Sequence, residues 1–176
     1  MTKIADMGPD IIYIGATVEN NTPKVVLDLR SLMPVDQVTC LVPDGLITSA
    51  YPEGAGQAAV GSFVTFAGLP PSALKGPGAD YATRMTDILG HAPDSYSVYA
   101  YEVVAVIIQA IDQVQEKDRG QILDAMMATK NFKSLLGGTW SFTETGDTDA
   151  VTMSINEVRQ NDEGKLDFEF IETIGS

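Results

Sequence analysis

The order of short apolar runs in the first 68 residues is the strongest constraint on the fold. DIIYIGA, at residues 10–16, and QVTCLV, at residues 37–42, are typical of buried parallel strands. Between them, TPKVVLDLRSLM has apolar residues at helical spacing, with Thr22 as the expected cap and Pro23 at the first helical position. A third strand is predicted at residues 61–68, in GSFVTFAG. This strand and helix order predicts an α/β fold with a partly parallel sheet flanked by helices.

The composition and the predicted secondary structure of the chain change after the third predicted strand. Residues 68–80, GLPPSALKGPGAD, are rich in Pro and Gly and indicate a crossing segment. Helices are then predicted at about residues 81–89, 95–115 and 119–129. The second of these is apolar nearly all round, so we expect it to be buried. The last strands are predicted as an antiparallel pair joined by Asn-Asp-Glu-Gly at residues 161–164.

Composition excludes several classes of function. The formal charge is −13, with 11 Lys and Arg against 24 Asp and Glu, which argues against a nucleic-acid partner. By inspection no apolar run approaches the roughly 18 to 20 residues needed to span a bilayer, so no membrane insertion is expected. The N-terminus lacks a basic region followed by an apolar stretch, and this chain is therefore expected to carry no export signal.

The sequence contains no recognisable catalytic or metal-binding set of residues. One His and one Cys cannot form a metal cluster, and no nucleophile and base pair is evident. GAGQAAVG, at residues 54–61, lacks the Lys-Ser/Thr of a phosphate-binding loop, so tight helix packing is the better interpretation. Cys40 is expected to be a small buried residue, and His91 a solvated residue after a helix end. We therefore expect no cofactor, no metal and no enzymatic activity.

Asp44 is the acid whose position calls for an explanation. It lies in Pro-Asp-Gly directly after the second predicted strand, and ligand groups gather at the carboxyl ends of parallel strands. In most such triplets, however, the acid bonds to its own backbone in a turn. From the residues alone, both interpretations remain open.

Four phrases of the sequence together carry a family resemblance. PDIIYIGA, PDGLITSAYPEGAGQAAVGSFVTF, YSVYAYEVVAVIIQAID and GGTWSFTETGD occur in the order seen in type I periplasmic binding proteins. The chain most resembles the leucine/isoleucine/valine-binding branch, which feeds ABC importers. The resemblance covers nearly the whole chain. Members of this family are roughly twice as long and have two Rossmann-like lobes around a ligand cleft, so this chain resembles only their second half.

The resemblance implies a division of the chain between the two lobes. Residues 1–66 and 156–176 would belong to the C-terminal lobe, and residues 67–155 to a mainly helical part of the N-terminal lobe. The opening strands of that N-terminal lobe would be missing, which would expose the apolar helix at residues 95–115. Another chain could supply them, the protein could pair with itself, or the chain could be a fragment. A fragment or a split partner is favoured.

The resemblance also implies a function and a ligand site. It implies a periplasmic or extracellular solute-binding component that delivers an amino-acid-like ligand to an ABC permease; a ligand-sensing receptor or regulator of the same fold is the alternative. Asp44 would bind the ligand ammonium, Tyr101 would border the ligand, and Thr17 would replace an aromatic residue of the best-known members. Without the resemblance, Tyr101 could be ordinary helix packing and Thr17 a loop hydroxyl.

Overall fold

The computed structural model describes residues 1–174, which form two compact units. Unit 1 comprises Met1–Leu69 and the chain from Thr152 onward, and unit 2 comprises Pro70–Val151. The helices are α1 (Thr2–Ala5), α2 (Thr22–Leu32), α3 (Ala50–Ala55), α4 (Pro77–Leu89), α5 (Ser97–Val114) and α6 (Arg119–Met127). The strands are β1 (Ile11–Tyr13), β2 (Thr39–Val42), β3 (Ser62–Phe66), β4 (Phe132–Lys133), β5 (Thr139–Trp140), β6 (Met153–Gln160) and β7 (Leu166–Ile174).

Unit 1 is built on a five-stranded sheet with the order β1-β2-β3-β6-β7. The first three strands are parallel, whereas β6 pairs antiparallel with β3 and β7 antiparallel with β6. The predicted α/β fold and partly parallel sheet are therefore confirmed. The closing hairpin also forms as predicted, and Gly164 adopts a φ of 80° in its turn, which glycine accommodates without strain.

The core of unit 1 lies between the sheet and the helices that connect its parallel strands. Its members are apolar side chains with almost no exposed surface, and each contributes about 1.5–3 kcal/mol by leaving water. They come from α2, α3, β2 and β3, and include Val26, Leu29, Cys40, Val42, Tyr51, Val64 and Phe66. Cys40 is thus buried, as the sequence predicted.

The start of α2 differs from the sequence-based prediction. Asn21, with a φ of 58°, occupies the N-cap position, so Thr22 is the first residue of the helix and Pro23 is the second, one position later than expected. The Thr22 hydroxyl donates to the Thr17 carbonyl oxygen at 2.6 Å, so it ties the helix to the preceding loop. The expectation that Thr22 caps the helix is wrong. The backbone at the N-cap position is left-handed, a conformation that Asn tolerates.

Tyr51 is a buried phenol in the core of unit 1. Its hydroxyl donates to Ser62 Oγ at 2.9 Å, and burial raises its pKa to about 12. An unfolded tyrosine ionises near pH 10, so the unfolded state loses its proton first as the pH rises. The stability that neutral Tyr51 contributes is therefore complete below pH 10 and is lost between about pH 10 and 12. The shift corresponds to about 2–3 kcal/mol.

We expect Tyr51→Phe to remove this alkaline loss of stability. The measurement is the free energy of unfolding in urea between pH 8 and 11.5, with the exposed Tyr13→Phe as a matched control. Tyr13→Phe should retain the wild-type pH dependence. A wild-type slope in Tyr51→Phe would show that the loss originates elsewhere.

Unit 2 consists of α4, α5 and α6 with a two-stranded sheet formed by β4 and β5. Helix α6 begins with a strong cap, because the Asp118 carboxylate accepts from the backbone N–H groups of Gly120 and Gln121 at 2.8 and 3.0 Å. These bonds to the backbone lower the pKa of Asp118. Trp140 is buried between two rings, with centroid distances of 5.0 Å to Phe132 and 5.1 Å to Phe142.

Helix α5 departs from two expectations. It was expected to be buried, but only 22% of its 18 residues are buried. Among the described residues it is also the one helix whose length and composition would allow it to cross a membrane, so the expectation of no such segment is wrong. Polar residues interrupt the apolar run of this helix, so the sequence has no continuous apolar stretch of that length.

Candidate ligand-binding site

The parallel strands of unit 1 deliver two of the predicted site residues to the same edge of the sheet. The loop after β1 leads to Thr17, and β2 is followed by Pro43 and a short 3₁₀ turn, Asp44–Leu46. Because β1 and β2 are parallel neighbours, their carboxyl ends meet at one edge. Thr17 and the Asp44 turn therefore lie where ligands bind in open α/β sheets.

A close approach at Gly45 shows that these two loops touch. A Cβ atom built on Gly45 would lie 2.9 Å from Thr17 Cγ2 and 3.4 Å from the Ala16 carbonyl oxygen. A side chain at this position would force the loops apart, so only glycine allows the present packing. The structure thus brings Thr17 next to the residue that follows Asp44.

Thr17 has local partners within its own loop. Its backbone N–H and its hydroxyl both donate to Asn20 Oδ1, at 3.1 and 3.2 Å. A hydrogen bond from the Thr17 side chain also helps to hold the pKa of the exposed Glu19 carboxyl below its usual value. The hydroxyl therefore orders the loop through its single proton, and the hydroxyl oxygen can act only as an acceptor towards a ligand.

Asp44 is half-buried at the start of its turn. Its backbone carbonyl accepts from the Ile47 N–H at 2.9 Å, which closes the turn. The following residues, Leu46 and Ile47, are fully buried and anchor the turn in the core. This arrangement anchors the backbone of Asp44 at the sheet edge. A carboxylate is a suitable acceptor for hydrogen bonds from a cationic group.

Tyr101 belongs to unit 2 and lies on the first half of α5. It is half-exposed, and its ring packs on the ring of Tyr81 in α4 with a centroid distance of 5.3 Å and an interplanar angle of 55°. The two rings border a pocket of about 240 Å³ within unit 2. The pocket is lined by Pro77, Asp80, Tyr81, Arg84, Tyr101 and Leu135. Tyr101 therefore combines helix packing with access to a pocket.

Sequence reasoning missed the role of Glu102, which is buried beside Tyr101. Its Oε1 accepts from Ser134 Oγ at 2.8 Å and from the Leu135 backbone N–H, and its Oε2 accepts from Trp140 Nε1 at 3.0 Å. These bonds tie α5 to the segment around β4 and β5. The sequence signal for this role was a single acidic residue in the first half of an otherwise apolar helix. Burial of an acidic side chain is costly unless the side chain is paired.

His91 is exposed after Gly90, which ends α4 with a φ of 75°, and its Nδ1 lies 2.9 Å from the Ala92 carbonyl oxygen. Within residues 1–174, no group of three or more His, Cys, Asp or Glu side chains is placed to hold a metal ion.

Comparison with known proteins decides the family. The family model described as periplasmic binding protein matches residues 1–164. The chain belongs to the periplasmic binding protein family. It is 26% identical over 172 residues to the Leu/Ile/Val-binding protein homolog 2 of Brucella abortus (strain 2308), with 96% of this chain and 43% of that protein covered.

Solved structures of similar fold include two binding proteins that are named for amino acids. The leucine binding protein LivK of Thermotoga maritima gives a TM-score of 0.81 at 24% identity, covering 98% of this chain and 47% of that one. The branched-chain amino acid transporter substrate binding protein LivJ of Streptococcus pneumoniae, solved in complex with isoleucine, gives a TM-score of 0.73 at 18% identity, covering 92% of this chain and 45% of that one. The chain thus spans less than half the length of the relatives that it matches.

Proposed function

We propose that this chain is the ligand-binding part of a non-catalytic solute-binding component of an ABC importer, with an amino acid as ligand. The observation that carries the proposal is the position of the half-buried Asp44, in a turn that packs against the Thr17 loop through Gly45 at the carboxyl ends of two parallel strands. The similarity to Leu/Ile/Val-binding protein homologues supports an aliphatic amino acid.

Asp44 would bind the ligand ammonium in this proposal. A carboxylate and an ammonium make charge-assisted hydrogen bonds, each with a net value of about 1.5–3 kcal/mol. Thr17 would add a short polar contact, and because it is smaller than an aromatic residue it would leave room for ligands other than leucine. Tyr101 would contribute an aromatic contact to the ligand.

The wider assignments follow from the same proposal. Unit 1 would correspond to the C-terminal lobe of the family, and unit 2 to a part of the N-terminal lobe. The protein would act in the periplasm or outside the cell, and it would present its bound ligand to a membrane permease. It would bind no nucleic acid and require no cofactor.

A thermal melt against a ligand panel tests the proposal. The chain is melted alone, and together with the part of the Thermotoga maritima leucine binding protein that it does not cover, in the presence of aliphatic, polar and aromatic amino acids. A ligand at about 100 times its dissociation constant should stabilise the folded state by about 2.7 kcal/mol. Stabilisation by at least one α-amino acid supports the proposal. The absence of any shift in both formats would contradict it.

A further inference from the structure

The pocket of about 240 Å³ is lined entirely by residues of unit 2, from α4, α5 and the loop between β4 and β5. Four of its lining residues, Pro77, Asp80, Tyr81 and Arg84, belong to α4. Positions three, four and seven residues after Pro77 lie on one face of a helix. The pocket has the volume of about eight water molecules, so it can hold a ligand the size of one amino acid.

The apolar wall of the pocket is held in place by contacts within unit 2. Tyr81 is only 5% exposed, and its ring packs on the ring of Tyr101. The Leu135 backbone N–H donates to the buried carboxylate of Glu102. The Leu135 carbonyl oxygen lies so close to α4 that a Cβ atom on Gly78 would clash with it. The wall is therefore fixed by the fold of this unit, and little ordering cost opposes ligand binding.

One acidic and one basic side chain line the same pocket without pairing with each other. Asp80 and Arg84 are four residues apart on α4, a spacing at which opposite charges on a helix can meet. Lys24 and Asp28 have this spacing on α2, and they form a salt bridge of 2.9 Å. Within residues 1–174, neither Asp80 nor Arg84 takes part in a salt bridge. Both charges are therefore available to a ligand.

This pair of charges fits a zwitterion better than an ion of one sign. A simple carboxylate would lie beside the like charge of Asp80, and a simple amine would lie beside that of Arg84. A zwitterion can instead place its carboxylate on the planar guanidinium and its ammonium on the acid. The two tyrosine rings favour an aromatic side chain, because offset and edge-to-face ring pairs are stabilising beyond the area that they bury.

We propose that the pocket of unit 2 is a second ligand site, which binds a small zwitterion with an aromatic side chain, such as an aromatic α-amino acid. Arg84 binds the carboxylate of this ligand, and Asp80 binds its ammonium. The site uses no residue of unit 1, so it does not depend on the proposed role of Asp44. Tyr101 is the residue that it shares with the proposed function.

The experiment is a titration of the isotope-labelled full chain with phenylalanine, followed by amide NMR. Saturable shifts are expected at the amides of Tyr81, Arg84 and Leu135 with ligand up to about 20 mM. The amides of Thr17 and Gly45 report separately on the Asp44 edge of unit 1. Two analogues lack one charge each, 3-phenylpropanoate and phenethylamine. Both should bind the pocket at least about fivefold more weakly than phenylalanine.

Two variants test the assignment of the charges. Arg84→Gln and Asp80→Asn should each weaken the binding of phenylalanine to the pocket at least about fivefold. The matched controls are Arg119→Gln on α6 and Asp87→Asn near the end of α4. Both control positions are exposed and do not line the pocket, so these variants should bind like the wild type.

Several results would overturn the proposal. One is the absence of saturable shifts at the pocket amides. Shifts confined to Thr17 and Gly45 would also overturn it, while they would support the proposed function at Asp44. Equal affinity for phenylalanine and either analogue would rule out the zwitterion, and this comparison uses the wild type alone. Controls that weaken binding as much as Arg84→Gln and Asp80→Asn would remove those two residues from the site.

Discussion

Glu102→Ala is expected to cause the largest loss of stability in unit 2. The buried carboxylate is the shared acceptor for Ser134 Oγ, the Leu135 N–H and Trp140 Nε1. Its removal leaves the buried Trp140 donor and the two half-buried donors of Ser134 and Leu135 without this acceptor. An unsatisfied buried donor costs about 1–3 kcal/mol, and the half-buried ones cost less because water can reach them. The deleted side chain also leaves a cavity between α5 and the segment around β4 and β5. We expect a total loss of about 3–5 kcal/mol.

The readout follows from the position of the single tryptophan. Trp140 is in unit 2 and donates directly to Glu102, so its fluorescence during urea unfolding reports on this unit. The matched control is Asp112→Ala, an exposed acid on the same helix, which should lower stability by less than about 1 kcal/mol. Glu102→Gln keeps the shape but turns one acceptor into a donor, so its loss should be intermediate. A Glu102→Ala midpoint equal to that of the wild type would contradict the assignment.

Asp44→Ala is expected to have the largest effect on ligand binding. If the carboxylate binds the ligand ammonium, its loss should lower the affinity for α-amino acids about 10- to 100-fold, which corresponds to about 1.5–3 kcal/mol. Asp44→Asn should lower the affinity less, because the amide oxygen still accepts a hydrogen bond without the charge. The measurement is calorimetric titration of the amino acid into the chain alone, or into the chain with the added Thermotoga maritima part, depending on which of the two binds ligand in the thermal melts.

Two comparisons separate a ligand contact from a structural role at Asp44. Asp36→Asn removes one exposed acid from the same unit and should leave the affinity unchanged. The thermal midpoint without ligand should change little in Asp44→Asn, since Leu46 and Ile47 keep the turn anchored. If Asp44→Asn lowered the free energy of unfolding by as much as it weakened the free energy of ligand binding, Asp44 would instead be a turn residue with no direct ligand contact.

Local sequence patterns predicted the strands and helices of unit 1 well, because the apolar residues in those patterns are the ones that the strands and helices bury. The β-branched runs around Cys40 and Val64 become central parallel strands, and the alternating segment near the C-terminus forms β6 and β7. The neighbouring positions of Thr17 and the Asp44 turn follow from parallel pairing of β1 and β2, so topology alone was sufficient. The close contact through Gly45 depends on how the two loops pack, which no local sequence pattern indicates.

The sequence predicted less about unit 2 because its contacts are set by tertiary context. Helical periodicity located α5 but could not indicate which side is covered, since its apolar residues lie nearly all round. The partners of Glu102 lie more than 30 residues away in sequence, at Ser134, Leu135 and Trp140. The cap of α2 was misassigned because Thr and Asn both favour helix starts, and only the left-handed φ of Asn21 distinguishes them.

Recognition of the ligand ammonium by the Asp44 edge of unit 1 is the central claim, and a pair of matched ligands tests it most directly. Leucine and 4-methylpentanoate share the same branched chain and carboxylate, but only leucine carries an ammonium. Both are titrated calorimetrically into the binding form of the protein and into its Asp44→Asn variant.

In the wild type, leucine or the aliphatic amino acid preferred in the melts should bind at least about tenfold more tightly than its deaminated analogue. In Asp44→Asn this difference should shrink. Equal affinity of the wild type for the two ligands, or a difference that Asp44→Asn leaves intact, would contradict the assignment of Asp44 as the ammonium site.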